Sequence, residues 1–260
     1  MKWIESGIII RHRDGNQEKK EYQMSFLDGS HLDQVMALQS AVYDSLDDEQ
    51  KFVPDPREFY EKRALVDGKG MMIGVFVEKT MIAARSVSFP GLTEHNLGLE
   101  LDLPEEDLKK AGILESSMVL PEYRGNRLQG LMLKPTMNEL VERGCSLVLC
   151  TISPFNYPSL KNVMDAGLLI RDLKARGGIY NGKLRFLLAL DLRMEHKLVF
   201  RDTCTVQNTD ITVQKSLLTL GLAGYALKKL PGENRLFGIH YGKPWPALPG
   251  KIPADSFSTI

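Results

Sequence analysis

The sequence predicts a mixed α/β fold built on a central mixed sheet, on three observations. Two β-rich runs, 71–77 and 81–87, flank the polar turn Glu78-Lys79-Thr80 and spell a hairpin. A strand over 113–120 feeds through Pro121-Glu122-Tyr123-Arg124-Gly125 into a helix beginning at Leu128. Strand and helix patterns then alternate from 146 to 190, which calls for a sheet with helices packed on it.

The elements follow in chain order. Strand-like pieces at 7–11 and 22–26 surround the polar turn Asp14-Gly15-Asn16. Leu32, Val35, Met36, Leu38, Val42 and Leu46 recur at spacings near three and four, the period of an amphipathic helix capped near Ser30. A second helix is expected over 56–66 with Pro56 in its first turn, where a missing N–H costs nothing. A short acidic helix is expected at 104–110. Leu131, Met132, Leu140 and Val141 mark the helix after Leu128; Pro135 inside it removes a hydrogen bond, costs roughly 3 kcal/mol and should kink it. Then come a strand at 146–151, a helix at 158–166, and strands at 168–173 and 184–190. Beyond these, 197–206 alternates like a strand, and Asn208-Thr209-Asp210 caps a helix over 211–220 with Val213, Leu217 and Leu220 on one face. The runs 222–230 and 235–241 flank the turn cluster Pro231-Gly232-Glu233-Asn234 as a hairpin. The chain therefore divides into a main domain, 1–192, and a β-α-β-β extension, 193–260, too small to hold a robust core alone and expected to pack on the main domain.

Composition removes several classes of function. Among 260 residues, 33 Lys and Arg balance 33 Asp and Glu, so no basic footprint for nucleic acid or an anionic membrane exists. The longest apolar stretches, such as Leu187-Leu188-Ala189-Leu190, fall far short of the ~20 residues of a spanning helix. The first ten residues are broken by Glu5 and Gly7, unlike a signal peptide, and the expected compartment is the cytoplasm. Cys145, Cys150 and Cys204 are odd in number and lack CxxC spacing; they are expected to be plain buried thiols. Five scattered His residues form no HxxxH or HxH pair, so no metal centre is expected.

The stretch from Val119 to Leu131 carries the most chemistry. A strand ends, a tight turn follows and a helix starts where Gly125 and Gly130 let backbone approach a ligand, with Arg124 and Arg127 adding positive charge. Free N–H groups at a helix start, at the positive end of its dipole, suit a phosphate or pyrophosphate. A plain strand-to-helix connection with surface arginines is the alternative. Neither GxxxxGK[ST] nor GxGxxG occurs, which sets aside the P-loop and dinucleotide readings.

Val119, Pro121, Arg124, Gly125 and Leu128 resemble the acyl-CoA-binding motif V-x-P-x-x-R-G-x-G-[IL]-[GA]-x-x-L of the GNAT N-acetyltransferase superfamily, with Met132 at the final Leu position. Arg127 stands where the second Gly is usual, and Gln129 where Gly or Ala is usual. Downstream, Asn156, Ser159, Gly167 and Leu168 fit the superfamily's N-x-x-[AS]-x(7)-G-[FL] motif. The resemblance covers roughly 1–192 and implies a GNAT fold and acetyl-CoA as cosubstrate, with no metal. It implies that Arg124, Gly125, Asn126, Arg127, Leu128, Gln129 and Gly130 hold the pyrophosphate, and that the Val119 and Leu120 backbone meets the pantetheine arm. Asn156 and Ser159 would lie near the cofactor's other side; helix capping is the alternative for both.

Acetyl transfer to an amine needs a base for the ammonium and an acid for the departing thiolate. Many members place a Tyr acid seven residues after the motif Asn, where this chain has Val163; Tyr157, a water, or unassisted departure of the thiolate would replace it. Glu115, on the strand entering the turn, is the expected base, with a merely charged residue at a strand start as the alternative, and simple alternation would put it on one face with Ser117 and Val119. Ser116 and Ser117 could instead order a water relay. The resemblance thus implies an N-acetyltransferase whose amine acceptor, small molecule or peptide, is unidentified. A non-catalytic acyl-CoA sensor or scaffold is the alternative, and Val163 favours it. The extension would then wall the acceptor side through Tyr225, His240 and Tyr241, or serve only as structure or dimer contact.

Overall fold

The structure is a computed structural model and describes residues 3–194, 198–230 and 236–245. Its strands are β1 (Trp3–Arg13), β2 (Asn16–Phe26), β3 (Gly70–Val77), β4 (Thr80–Ser88), β5 (Ala111–Val119), β6 (Leu147–Ile152), β7 (Leu169–Ala175), β8 (Leu184–Asp191), β9 (Val199–Gln207), β10 (Ala223–Lys229) and β11 (Phe237–Trp245). Its helices are α1 (Leu32–Asp44), α2 (Arg57–Phe59), α3 (Glu105–Leu108), α4 (Leu128–Glu142), α5 (Tyr157–Asp165) and α6 (Ile211–Thr219). They gather into two compact units, one of Met1–Pro90 with Gly112–Gly144, the other of Gly91–Ala111 with Cys145–Ile260.

In the first unit, β1 to β5 lie side by side in chain order, every neighbour antiparallel. The β1–β2 turn puts both Asp14 (φ 51°) and Gly15 (φ 78°) in the left-handed region, as a two-residue hairpin turn requires. One face of the sheet buries Met72, Met81, Ala84 and Met118 against Val35 and Leu38 of α1 and Tyr60. The other buries Val75, Ala83 and Val119 against Leu128 and Met132 of α4.

The cap falls near Ser30 as expected: Asp28 caps the turn leading into α1, its carboxylate accepting the Ser30 N–H at 3.0 Å. The helix expected over 56–66 is three residues of α2 running into a π-helix, Tyr60–Ala64, in which the Leu65 N–H reaches back five residues to the Tyr60 carbonyl at 3.0 Å. Pro56 stands just ahead of it in extended backbone. Val141, one of the apolar positions that mark α4, is exposed. α4 itself runs from Leu128 to Glu142 through Pro135 without a break.

In the second unit the order is β6-β8-β7-β10-β11-β9, again with antiparallel neighbours. The extension has the expected β-α-β-β order; Lys197, the turn 231–234 and Arg235 lie outside the described residues. Gly224 of β10 pairs with Ile170 of β7, so residues on both sides of 192 share one unit. Two buried amides join its parts. Asn208 donates to the Pro154 carbonyl at 3.3 Å and accepts the Phe237 N–H at 3.1 Å. Gln214 donates to the Gln207 and Asn208 carbonyls and accepts the Tyr241 hydroxyl at 2.8 Å. α6 therefore turns Gln214 inward and leaves Val213 and Leu220 exposed, which overturns the face drawn from its apolar residues. Those carbonyls need donors more than the helix needs an apolar stripe. The thiols divide as well. Cys150 is buried, Cys145 half-buried, and Cys204 exposed on β9, the edge strand of its sheet.

A chain ending at Leu192 removes Asn208 from the Pro154 carbonyl and uncovers the edge of β7. We expect it to unfold its second unit without cooperativity, read by thermal denaturation and amide exchange over β6 to β8. A fragment as cooperative as the full chain would refute this.

Candidate active site

β5 is where the site is made. Its register with β4 runs Val87↔Leu114 and then Arg85↔Ser117, so Glu115 and Ser116 together oppose Ser86 in a β-bulge. The extra residue breaks the alternation expected from the sequence, and Glu115 does not share a face with Ser117 and Val119. Val119 packs under α4, and Ser117 is paired with Arg85, which donates to the Gln129 carbonyl of α4. Glu115 and Ser116 are turned to the opposite face, toward α1 and the π-helix. There the Ser88 hydroxyl donates to Glu115 Oε1 at 2.6 Å, and the Ser116 hydroxyl donates to Asp55 Oδ2.

Asp55 is the residue the sequence did not single out. It sits between Pro54 and Pro56, far from β5 in the chain, with no local pattern to mark it. Gln39 of α1 holds its backbone from both sides, donating to the Asp55 carbonyl at 2.9 Å and accepting its N–H at 3.0 Å. The buried Tyr60 hydroxyl donates to Gln39 Oε1 at 2.7 Å and lies 3.4 Å from Asp55 Oδ2. Two half-buried carboxylates thus share one polar cluster. Burial raises both proton affinities. For Asp55 the hydrogen bonds from Ser116 and Tyr60 partly offset it. For Glu115 burial is the largest cause, the Ser88 hydrogen bond opposes it, the Asp55 charge adds to it and Arg63 opposes it, leaving a pKa pushed up to about 7. Tyr60 is held protonated by its burial and by Asp55.

A raised acid favours the folded state where it keeps its proton. Stability from Glu115 is full below about 4.5 and falls as pH climbs toward 7, because the folded chain then binds a proton the unfolded chain has released. Glu115→Gln should therefore be more stabilising at pH 8 than at pH 5, by about 2–3 kcal/mol at most. Urea unfolding at the two pH values measures it; an equal effect at both would refute the raised affinity.

The turn after β5 joins a 3-10 turn to the start of α4. Pro121–Tyr123 forms a single 3-10 turn, Gly125 adopts φ 89°, and Arg127 adopts the left-handed φ 57°, ψ 23° immediately before Leu128. Arg127 fills a backbone conformation that glycine takes freely and an L-residue enters at a cost of about 1 kcal/mol, so the unusual residue is strained but compatible. Arg124, Gly125, Arg127 and Gly130 are exposed, Gln129 is half-buried, and the first-turn N–H groups of Leu128, Gln129 and Gly130 have no acceptors within the helix. Leu128 itself is core, so it offers backbone only. Asn126 is tied down: its Oδ1 accepts the Ile10 N–H at 2.7 Å and its Nδ2 donates to the Ile10 and Tyr123 carbonyls. Arg124 donates to the Ser45 hydroxyl at 2.9 Å. The Leu120 N–H is taken by the Ile82 carbonyl at 2.9 Å and its carbonyl accepts the Tyr123 N–H. That bond makes Val119 and Ala83 a non-hydrogen-bonded pair, so the Val119 N–H and C=O point away from β4.

In the second unit, Asn156 is the N-cap of α5, its Oδ1 accepting the Ser159 N–H at 3.2 Å. Val163 is buried core, and Tyr157 packs edge-on against Phe237 with ring centroids 5.0 Å apart. Of the three contacts expected from the extension, Tyr241 is fully buried and spent on Gln214, and so faces no ligand. Tyr225 stacks on Phe200 at 4.1 Å, and His240 Nδ1 meets the Thr205 hydroxyl at 2.8 Å. Among the described residues no group of three or more His, Cys, Asp or Glu is placed to hold a metal ion, and no helix is long and apolar enough to cross a membrane.

No family model and no curated protein sequence matches this chain. Solved structures do. The chain is similar to a GNAT-family acetyltransferase from Streptococcus pneumoniae (11% identity, 66% of this chain and 99% of that one, TM-score 0.50). It is similar to an N-acetyltransferase from Staphylococcus aureus Mu50 (14%, 66% and 97%, TM-score 0.50). It is also similar to the ribosomal-protein-S5-alanine acetyltransferase from Vibrio fischeri (14%, 68% and 96%, TM-score 0.50). At these identities the likeness is one of fold.

Proposed function

We propose that this chain, which has the GNAT N-acetyltransferase fold, transfers an acetyl group from acetyl-CoA to the amine of an acceptor, small molecule or peptide. Residues 1–192 would be the transferase domain and 193–260 its extension. The observation that carries the proposal is the bulge that turns Glu115 toward Ser88 and Asp55, in a half-buried cluster that pushes its pKa up to about 7. A base poised there can take a proton from an ammonium and give it up again.

Acetyl-CoA supplies the thioester carbonyl. The N–H groups of Leu128, Gln129 and Gly130, which have no acceptors within the helix, with Arg124, Gly125, Asn126 and Arg127, suit its pyrophosphate. The outward N–H and C=O of Val119 suit the pantetheine arm. For Leu120, whose N–H is spent on Ile82, contact would be through its remaining carbonyl lone pair or its side chain. Asn156 and Ser159 stay candidates by motif, although their visible bond is a helix cap. Glu115 would deprotonate the acceptor, with Ser88 fixing one of its oxygens and leaving the other for the proton. With Val163 buried, the thiolate would leave unassisted, its pKa near 8.5 by analogy with Cys making that tolerable, or take a proton from Tyr157 or water.

The buried Val163 also favours a second proposal, an acyl-CoA-binding sensor without turnover. A thiol-release assay with acetyl-CoA and a panel of polyamines, aminoglycosides and peptides separates the two. Amine-dependent release supports the enzyme; tight binding with no release from any amine supports the sensor.

A further inference from the structure

Arg185 of β8 is only 3% exposed, yet among the described residues its single hydrogen-bond acceptor is the neighbouring Leu184 carbonyl at 2.8 Å. Its other contact is the Tyr180 ring, 5.2 Å from the guanidinium carbon, which occupies no N–H donor. A buried cation without an anion is costly, and native chains rarely keep one. Glu100 is already committed: it takes both Arg176 nitrogens at 2.7 Å and Lys174 at 2.9 Å. Lys174 lies directly opposite Arg185 in the β7–β8 ladder, so like charges share a face. Asp172 shares it too, but its carboxylate accepts the Leu173 N–H. Thr151 of β6 falls on the same face through its pairing with Leu187, and its hydroxyl meets that of Tyr180 at 3.3 Å. Burial pushes the Arg185 proton affinity down, Tyr180 opposes this and the nearby Arg176 adds to it.

We propose that Arg185, Tyr180 and Thr151 form a subsite for the carboxylate of a small-molecule ligand. A guanidinium edge donates to two carboxylate oxygens side by side, and a hydroxyl of the Thr151–Tyr180 pair can turn to donate to one of them. A monoanion fits better than a phosphate dianion, since Asp172 shares this sheet face and Glu100 already adds negative charge at Arg176 and Lys174. The subsite goes beyond acetyl transfer and does not depend on it.

The test is a nuclear magnetic resonance titration of the full chain with propionate, at fixed ionic strength, against neutral propionamide. Saturable shifts at the Arg185 Nε–H and the Tyr180 amide with propionate alone are expected. Arg185→Met should keep the fold, having lost an uncompensated charge, and weaken propionate about tenfold to a hundredfold. Should that variant fail to fold, Tyr180→Phe with Thr151→Val must weaken propionate instead. No saturable response in the wild type, an equal response to propionamide, a response to phosphate but not propionate, or undiminished affinity in the folded variants would each overturn the proposal.

Discussion

Glu115→Gln lowers amine-dependent turnover at neutral pH by about 10²–10⁴-fold and leaves acetyl-CoA affinity unchanged, the result expected of a base that acts only on the acceptor. The amide keeps the size of the side chain and can still meet Ser88, so what it loses is the proton site. The wild-type rate should rise through an acid limb near pH 7 and level off above it, because Glu115 works only when ionised. Asp55→Asn should move that limb to lower pH, since the Asp55 charge is one of the causes raising Glu115. Turnover in Glu115→Gln equal to wild type across the pH range would reduce Glu115 to a structural carboxyl. A limb that stays put in Asp55→Asn would uncouple the two groups.

Arg124→Glu combined with Gly125→Pro abolishes acetyl-CoA binding, a loss of about two orders of magnitude or more if two charge-assisted contacts go. The first change puts negative charge at the helix start where the dipole and the N–H groups favour an anion. The second forces a φ near −65° on a backbone held at 89°, which the ring of proline cannot reach. Calorimetry measures the affinity, and an unperturbed Glu115 titration in the same variant shows that the first unit is intact. Unchanged affinity would rule the turn out as the cofactor site.

The order of elements was legible in the sequence because each depends on neighbours: the hairpin at β3 and β4 on polar turn residues between apolar runs, α1 on a three-to-four spacing, the turn after β5 on Pro121, Gly125 and the start of a helix. The β-α-β-β order after 192 was legible for the same reason. What only the tertiary structure decided is which side chains meet. The bulge at Glu115 and Ser116 leaves no mark in an alternating pattern, because it is set by pairing with β4, and it inverts the face on which the candidate base stands. Asp55 becomes its neighbour only because α1 offers Gln39 to hold that loop. Gln214 is buried and Val213 exposed because carbonyls of the Gln207–Asn208 segment needed donors, a demand invisible along α6 itself. Local chemistry is written in adjacent residues; proton affinity, burial and charge compensation arise from residues that folding brings together.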